Sequence, residues 1–155
     1  VKPTFAHWII GGLLAATAAL GHAQQPGTSA DELLADADRI VGQLDAGRVD
    51  DVWADVAPFV KSKVTQQQFV SETLLARKSL GTVTQRGWAA ITRIQFTNSK
   101  AVPDGLYANV DYASTLASGK IAFEKLSFRL DDGKWRLTGY VPRQNQGQIP
   151  GAPGE

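Results

Sequence analysis

Four residues in the second half of the chain have side chains suited to acid–base chemistry: Asp111, Tyr112, Glu124 and Tyr140, with Tyr107 as a further phenol. A carboxyl held in a pocket beside a phenol can have its pKa raised and serve as a general acid. These residues are therefore the candidate lining of a pocket. A second set, Lys125, Arg129, Lys134 and Arg136, is basic and repeats along a predicted hairpin, where it would offer a positive face to an anionic partner. Other chemistry is thinly supplied. There is no cysteine, and the two histidines, His7 and His22, lie in the first 23 residues. A chain cleaved beyond that segment has no Ser–His or Cys–His nucleophile, no histidine base and no His or Cys metal site. Asp50, Asp51 and Asp55 lack the oxygen-rich loop that calcium requires. No catalytic residue, metal or cofactor is therefore assigned.

Each candidate has a plainer explanation. Asp111 falls on the strand face opposite Leu106, Ala108 and Val110, so Asp111 and Glu124 read as solvent-facing residues and Tyr140 as a ring beside Lys125. The basic stripe reads as a solvated sheet face that resists edge-to-edge aggregation. Arg129 opposite Arg136 is mildly unfavourable, which argues for some use of the stripe.

The elements that must position these side chains follow from periodicity. Leu126, Phe128 and Leu130 alternate before Asp131-Asp132-Gly133-Lys134, and Trp135, Leu137, Gly139 and Val141 alternate after it. Alternation on both sides of Asp-Gly specifies a two-residue hairpin. It places Leu130 opposite Trp135, Phe128 opposite Leu137 and Leu126 opposite Gly139. Lys125, Ser127, Arg129, Arg136, Thr138 and Tyr140 then share the wetter face. Ile121 and Phe123 have the wrong parity for Leu126 and Phe128, which predicts a β-bulge near Glu124-Lys125.

Upstream, Ser29 and Glu32 form a capping box ahead of Leu33, Ala37, Ile40, Val41 and Leu44, the buried face of a first helix. A short second helix starts near Asp50 and ends at Pro58. Thr65 and Gln68 cap a third, with Phe69, Val70, Thr73, Leu74, Ala76 and Leu80 inward and Gly81 as its stop. Strands follow over 86–96 and from Leu106 to Tyr112, with Trp88, Ile94, Val110, Phe128, Leu137 and Trp135 lining the covered face. Helices followed by antiparallel strands specify an α+β domain: three N-terminal helices on one face of a four-stranded, twisted antiparallel sheet.

The first 23 residues have the form of a secretory signal peptide. Lys2 is basic, Trp8 to Leu20 is apolar, and Gly21 and Ala23 are the small residues before a cleavage site after Ala23. The divisions are 1–23 signal peptide, 24–28 linker, 29–141 a single α+β domain and 142–155 a disordered tail. The expected location is periplasmic or secreted, with no membrane association after cleavage. Residues 31–55 hold eight acidic and two basic residues, while 61–143 hold thirteen basic and six acidic. The formal net charge of +1 argues against nucleic acid as a partner.

Residues 32–141 resemble the bacterial family labelled domain of unknown function 4019. The resemblance rests on Asp45-Ala46-Gly47 with Trp53 behind it, on Arg77-Lys78-Ser79-Leu80-Gly81, and on Pro103-Asp104-Gly105 before a tyrosine-bearing strand. Its most specific part is Asp132-Gly133-Lys134-Trp135-Arg136-Leu137-Thr138-Gly139-Tyr140. Phe69 stands where the family has Trp. The resemblance implies small exported proteins with no assigned activity, so it brings no functional residues. The order of elements is similar to cystatin-like and nuclear-transport-factor-like cones, in which a pocket lies between helices and curved sheet; that is analogy of fold.

The leading expectation is an exported, non-catalytic module that binds a protein or small molecule, anionic if the basic stripe is the contact. The alternatives are a carboxylate/Tyr enzyme working in a cone pocket, and a self-associating structural or stress protein of the envelope.

Overall fold

The computed structural model describes residues 29–144. The expected signal peptide, its cleavage site and the linker lie outside the described residues. Helix α1 (Ala30–Asp45) begins where Ser29 Oγ accepts a hydrogen bond from the Glu32 N–H, and it buries Leu33, Ala37, Ile40, Val41 and Leu44 as its spacing requires. Its acidic first turn, Asp31 and Glu32, suits the positive end of the helix dipole.

The middle of the helical half is more broken than its sequence suggests. Helix α2 (Val49–Val52) runs into a 3₁₀ turn at Trp53–Asp55, and Pro58 starts a one-turn helix α3 (Pro58–Lys61) instead of ending one. Proline suits that position because its missing N–H would have no partner there. Helix α4 (Gln66–Leu80) is capped by Thr65 and ended by Gly81 at φ 94°, both as predicted. Leu74, expected inward, is 46% exposed.

Four antiparallel strands, β1 (Val83–Phe96), β2 (Gly105–Leu116), β3 (Ile121–Asp131) and β4 (Lys134–Arg143), form one sheet in sequence order. The helices cover one face of it. The core unites the apolar face of α1 with Val52 and Val56, and with Val110, Leu126, Phe128, Trp135 and Leu137 from the sheet. The α+β class and the four-stranded sheet stand as expected. The helix count rises from three to four, and β4 extends through Pro142 and Arg143, which the sequence reading assigned to a tail.

At the β3–β4 turn, Asp132 and Gly133 both have positive φ (50° and 74°), as a primed two-residue turn demands. Leu130 faces Trp135, and Phe128 faces Leu137. Beyond that point the predicted register fails. The bulge lies at Thr138 in β4, and β3 is continuous through Glu124 and Lys125. One extra residue reverses the facing of everything after it. Leu126 therefore pairs with Tyr140 and not Gly139, Tyr140 turns to the helix side, and Val141 turns outward at 50% exposure. A second bulge, between Trp88 and Ala90, does the same in β1. Ile91 packs on the core, while Ile94, expected to line it, turns to the other face at 38% exposure; Trp88 lies before the bulge, pairs with Tyr112 and is 63% exposed all the same.

Candidate functional site

With β3 unbulged, Ala122, Glu124, Leu126 and Phe128 all point at the helices. A carboxylate thus enters the core face, and Glu124 has no exposed surface. Its oxygens accept four hydrogen bonds. Oε1 takes one from Arg77 Nη1 at 2.8 Å and one from Tyr140 Oη at 2.7 Å. Oε2 takes one from Arg86 Nε at 2.8 Å and one from Ser114 Oγ at 2.5 Å. A carboxylate has about four acceptor sites, and here all are filled.

The two guanidinium groups are shared with a second acid. Asp45, the last residue of α1, accepts from Arg77 Nη2 at 2.5 Å and from Arg86 Nη1 and Nη2 at 2.7 and 3.1 Å. Two arginines and two carboxylates close a neutral ring, wet at Asp45 and dry at Glu124. Arg77 also donates to Tyr140 Oη at 3.0 Å. Arg86 lies 5.9 Å from the Tyr112 ring, and the Tyr112 hydroxyl donates to Asp38 at 2.6 Å. Each of α1, α4 and the four strands contributes a side chain.

Burial by itself would push the Glu124 carboxyl up. The hydrogen bond from Arg86, that from Ser114, the Arg86 charge and the Tyr140 hydroxyl outweigh it, and the group is held below its ordinary 4.5. Burial pushes the Tyr112 and Tyr140 phenols well up, and both stay protonated. Desolvation opposes the charge on Arg86, but Asp45 and Glu124 more than restore it. Glu124 is thus held as a carboxylate and Arg86 as a cation. The acid–base pair considered for Glu124 needs a raised carboxyl pKa; this carboxyl is lowered.

Of the predicted pocket residues, Tyr112, Glu124 and Tyr140 come together on the helix side. Glu124 is therefore not solvent-facing, nor Tyr140 a ring on the outer face beside Lys125. Asp111 is on the other face, 3.9 Å from Lys125. Tyr140 lies in a cavity wall: a cleft of about 370 Å³ between α4 and β4, with Val56, Val60, Phe69, Ala76 and Leu137. More open hollows of about 450 and 490 Å³ lie beside Arg77 and Lys78, and beside Gln66 and Val70, with Leu74 in both.

The four residues of the basic stripe sit in different surroundings. Arg129 is half-buried: it pairs with Asp131, donates to the Asp104 carbonyl at 2.9 Å and sits 5.9 Å from the Phe59 ring. Lys125 faces Asp111. Lys134 and Arg136 have no ion-pair partner among the described residues. Charge reversal at Arg129 would therefore disturb the fold before it tested any partner.

Sequence reasoning missed Arg77, Arg86, Asp45 and Ser114 as members of one site. One trace of it was present: Glu124 shares the parity of Leu126 and Phe128, and a charged residue in a core-facing row calls for partners.

Helices packed on one face of a four-stranded antiparallel sheet make this an α+β domain. Residues 36–140 match the family described as Protein of unknown function (DUF4019), and the chain belongs to that family. No curated protein matches the sequence. Among solved structures, the chain is similar to a Campylobacter jejuni protein provisionally named an NTF2-like transpeptidase. Identity is 18%, the match covers 71% of this chain and 98% of that one, and the TM-score is 0.45.

Proposed function

We propose that this protein is an exported, non-catalytic binding module, and that its ligand seat is the cleft between α4 and β4. The observation that carries this reading is the cleft itself: about 370 Å³, walled by Phe69, Ala76, Leu137 and Tyr140. Ligand cavities of about 300–1,000 Å³ with apolar walls and few polar groups are the usual form of small-molecule sites. The polar side chains on this wall are Thr73, Thr138, Tyr140, whose hydroxyl is engaged by Glu124 and Arg77, and, exposed to solvent, Glu72. Its occupant is then a small, largely apolar molecule, or an apolar side chain of a partner, with one hydrogen-bonding group.

The ionic ring supports this role without taking part in chemistry. It fixes Tyr140, a wall residue, by its hydroxyl, and it fixes α4 through Arg77. A wall ordered before binding spares the ligand the cost of ordering it. Export follows from the form of the first 23 residues.

Titration of the labelled protein with indole, phenol and octanoate, followed by NMR, tests the assignment. Saturable shifts are expected at Thr73, Ala76 and Leu137 with at least one probe, and Ala76→Phe should abolish them without lowering Tm. Shifts in none of the three titrations, or shifts that persist in Ala76→Phe, would place the seat elsewhere.

A further inference from the structure

The two edges of the sheet are treated differently. Beside β4, Val56 forms a parallel bridge with Leu137, and the Ala57 N–H donates to the Leu137 carbonyl at 2.8 Å. That edge also carries Pro142, which cannot donate to a ladder. Strand β1, 14 residues long, pairs only with β2; no other strand pairs with it among the described residues. Its bulge at Ala89 interrupts the first half. From Ala90 to Phe96 the register is unbroken, and this run has neither proline nor glycine.

A regular edge of unpaired N–H and C=O groups is completed by an extended strand, whose backbone supplies affinity and whose alternate side chains supply selectivity. Charge decides which strand. Residues 82–102 contain Arg86, Arg93 and Lys100 and no acid. Arg86 is neutralised inside the fold by Asp45 and Glu124. Arg93 is exposed, has no ion-pair partner among the described residues and sits at the centre of the unbroken run. Two copies paired about the middle of this run would set Arg93 against Arg93, and like charges directly opposite are destabilising. A foreign strand with a carboxylate at that place gains the pair instead.

We infer that the Ala90–Phe96 edge of β1 docks an extended segment of a partner protein that carries a central Asp or Glu between β-branched residues. The α4–β4 cleft is at the other side of the sheet, so this surface is independent of it.

A random nonapeptide library panned against the full chain provides the probe. Selected peptides should carry one Asp or Glu flanked by Val, Ile or Thr. Their affinity should fall about fivefold for Arg93→Glu, the scale of an exposed ion pair lost and reversed. It should vanish with a proline at whichever of Ile91 and Thr92 turns its N–H to the free edge. Peptides without a carboxylate, or equal binding to Arg93→Glu, would overturn the charge assignment. Binding that survives the proline would overturn strand addition, and a dimer in sedimentation that the same proline dissolves would give the edge to a second copy.

Discussion

Glu124 carries a full charge with none of its surface in water, and it does so because four donors from α4, β1, β2 and β4 surround it. Removing one member of a buried pair leaves the other uncompensated, at a cost of about 3–5 kcal/mol. Glu124→Ala should lower stability by that amount in urea melts, because it strands Arg77 and Arg86. Asp45→Asn acts at the wet end of the same ring, where a pair is worth about 1 kcal/mol or less. The pH dependence has a fixed sign. The folded-state carboxyl is held below its ordinary 4.5, so the unfolded chain takes up the proton more readily. The stabilisation is complete above about pH 4.5 and is lost as pH falls through the folded-state value. Wild-type urea midpoints should drop steeply below that pH, and those of Glu124→Ala much less.

At the scale of elements, the single-residue bulges at Thr138 and Ala89 decide which side chains meet. The bulge at Thr138 brings Tyr140 to Glu124 and sends Val141 outward. Inserting an alanine between Gly139 and Tyr140 should reverse the facing once more, turn Tyr140 out and remove a hydrogen bond to a buried charge, costing at least about 2 kcal/mol. Thr138→Ser keeps the extra residue and should be nearly neutral in the same melts. Legibility in the sequence divides along the same line. The caps at Ser29 and Thr65, the Gly81 stop and the Asp132-Gly133 turn are local chemistry, and each was readable from a few neighbouring residues. A bulge inserts an ordinary residue and leaves no compositional mark, so Thr138 and Ala89 passed as normal strand positions. The errors at Tyr140, Val141 and Ile94 descend from them. The ring was harder still to see, since Arg77 and Arg86 lie 47 and 38 residues from Glu124. Only the parity of Glu124 with Leu126 and Phe128 pointed to it, and that parity was obscured by placing a bulge at Glu124 itself.

Across the whole molecule, an acidic helical half meets a basic sheet half, and the ring is where they join. Asp38 and Asp45 of α1 reach Tyr112, Arg77 and Arg86, so opposite charges in the two halves become internal ties. Among the surfaces left for other molecules are the cleft beside β4, one wall of which the ring holds through Tyr140, and the open edge of β1. The central claim is therefore that Glu124 is a permanently charged strut and not a proton carrier. Its most direct test is a carbon-detected NMR titration of the Glu124 side-chain carboxyl. A midpoint below 4.5 is the predicted result; a midpoint near neutrality would contradict it and make Glu124 an acid–base group.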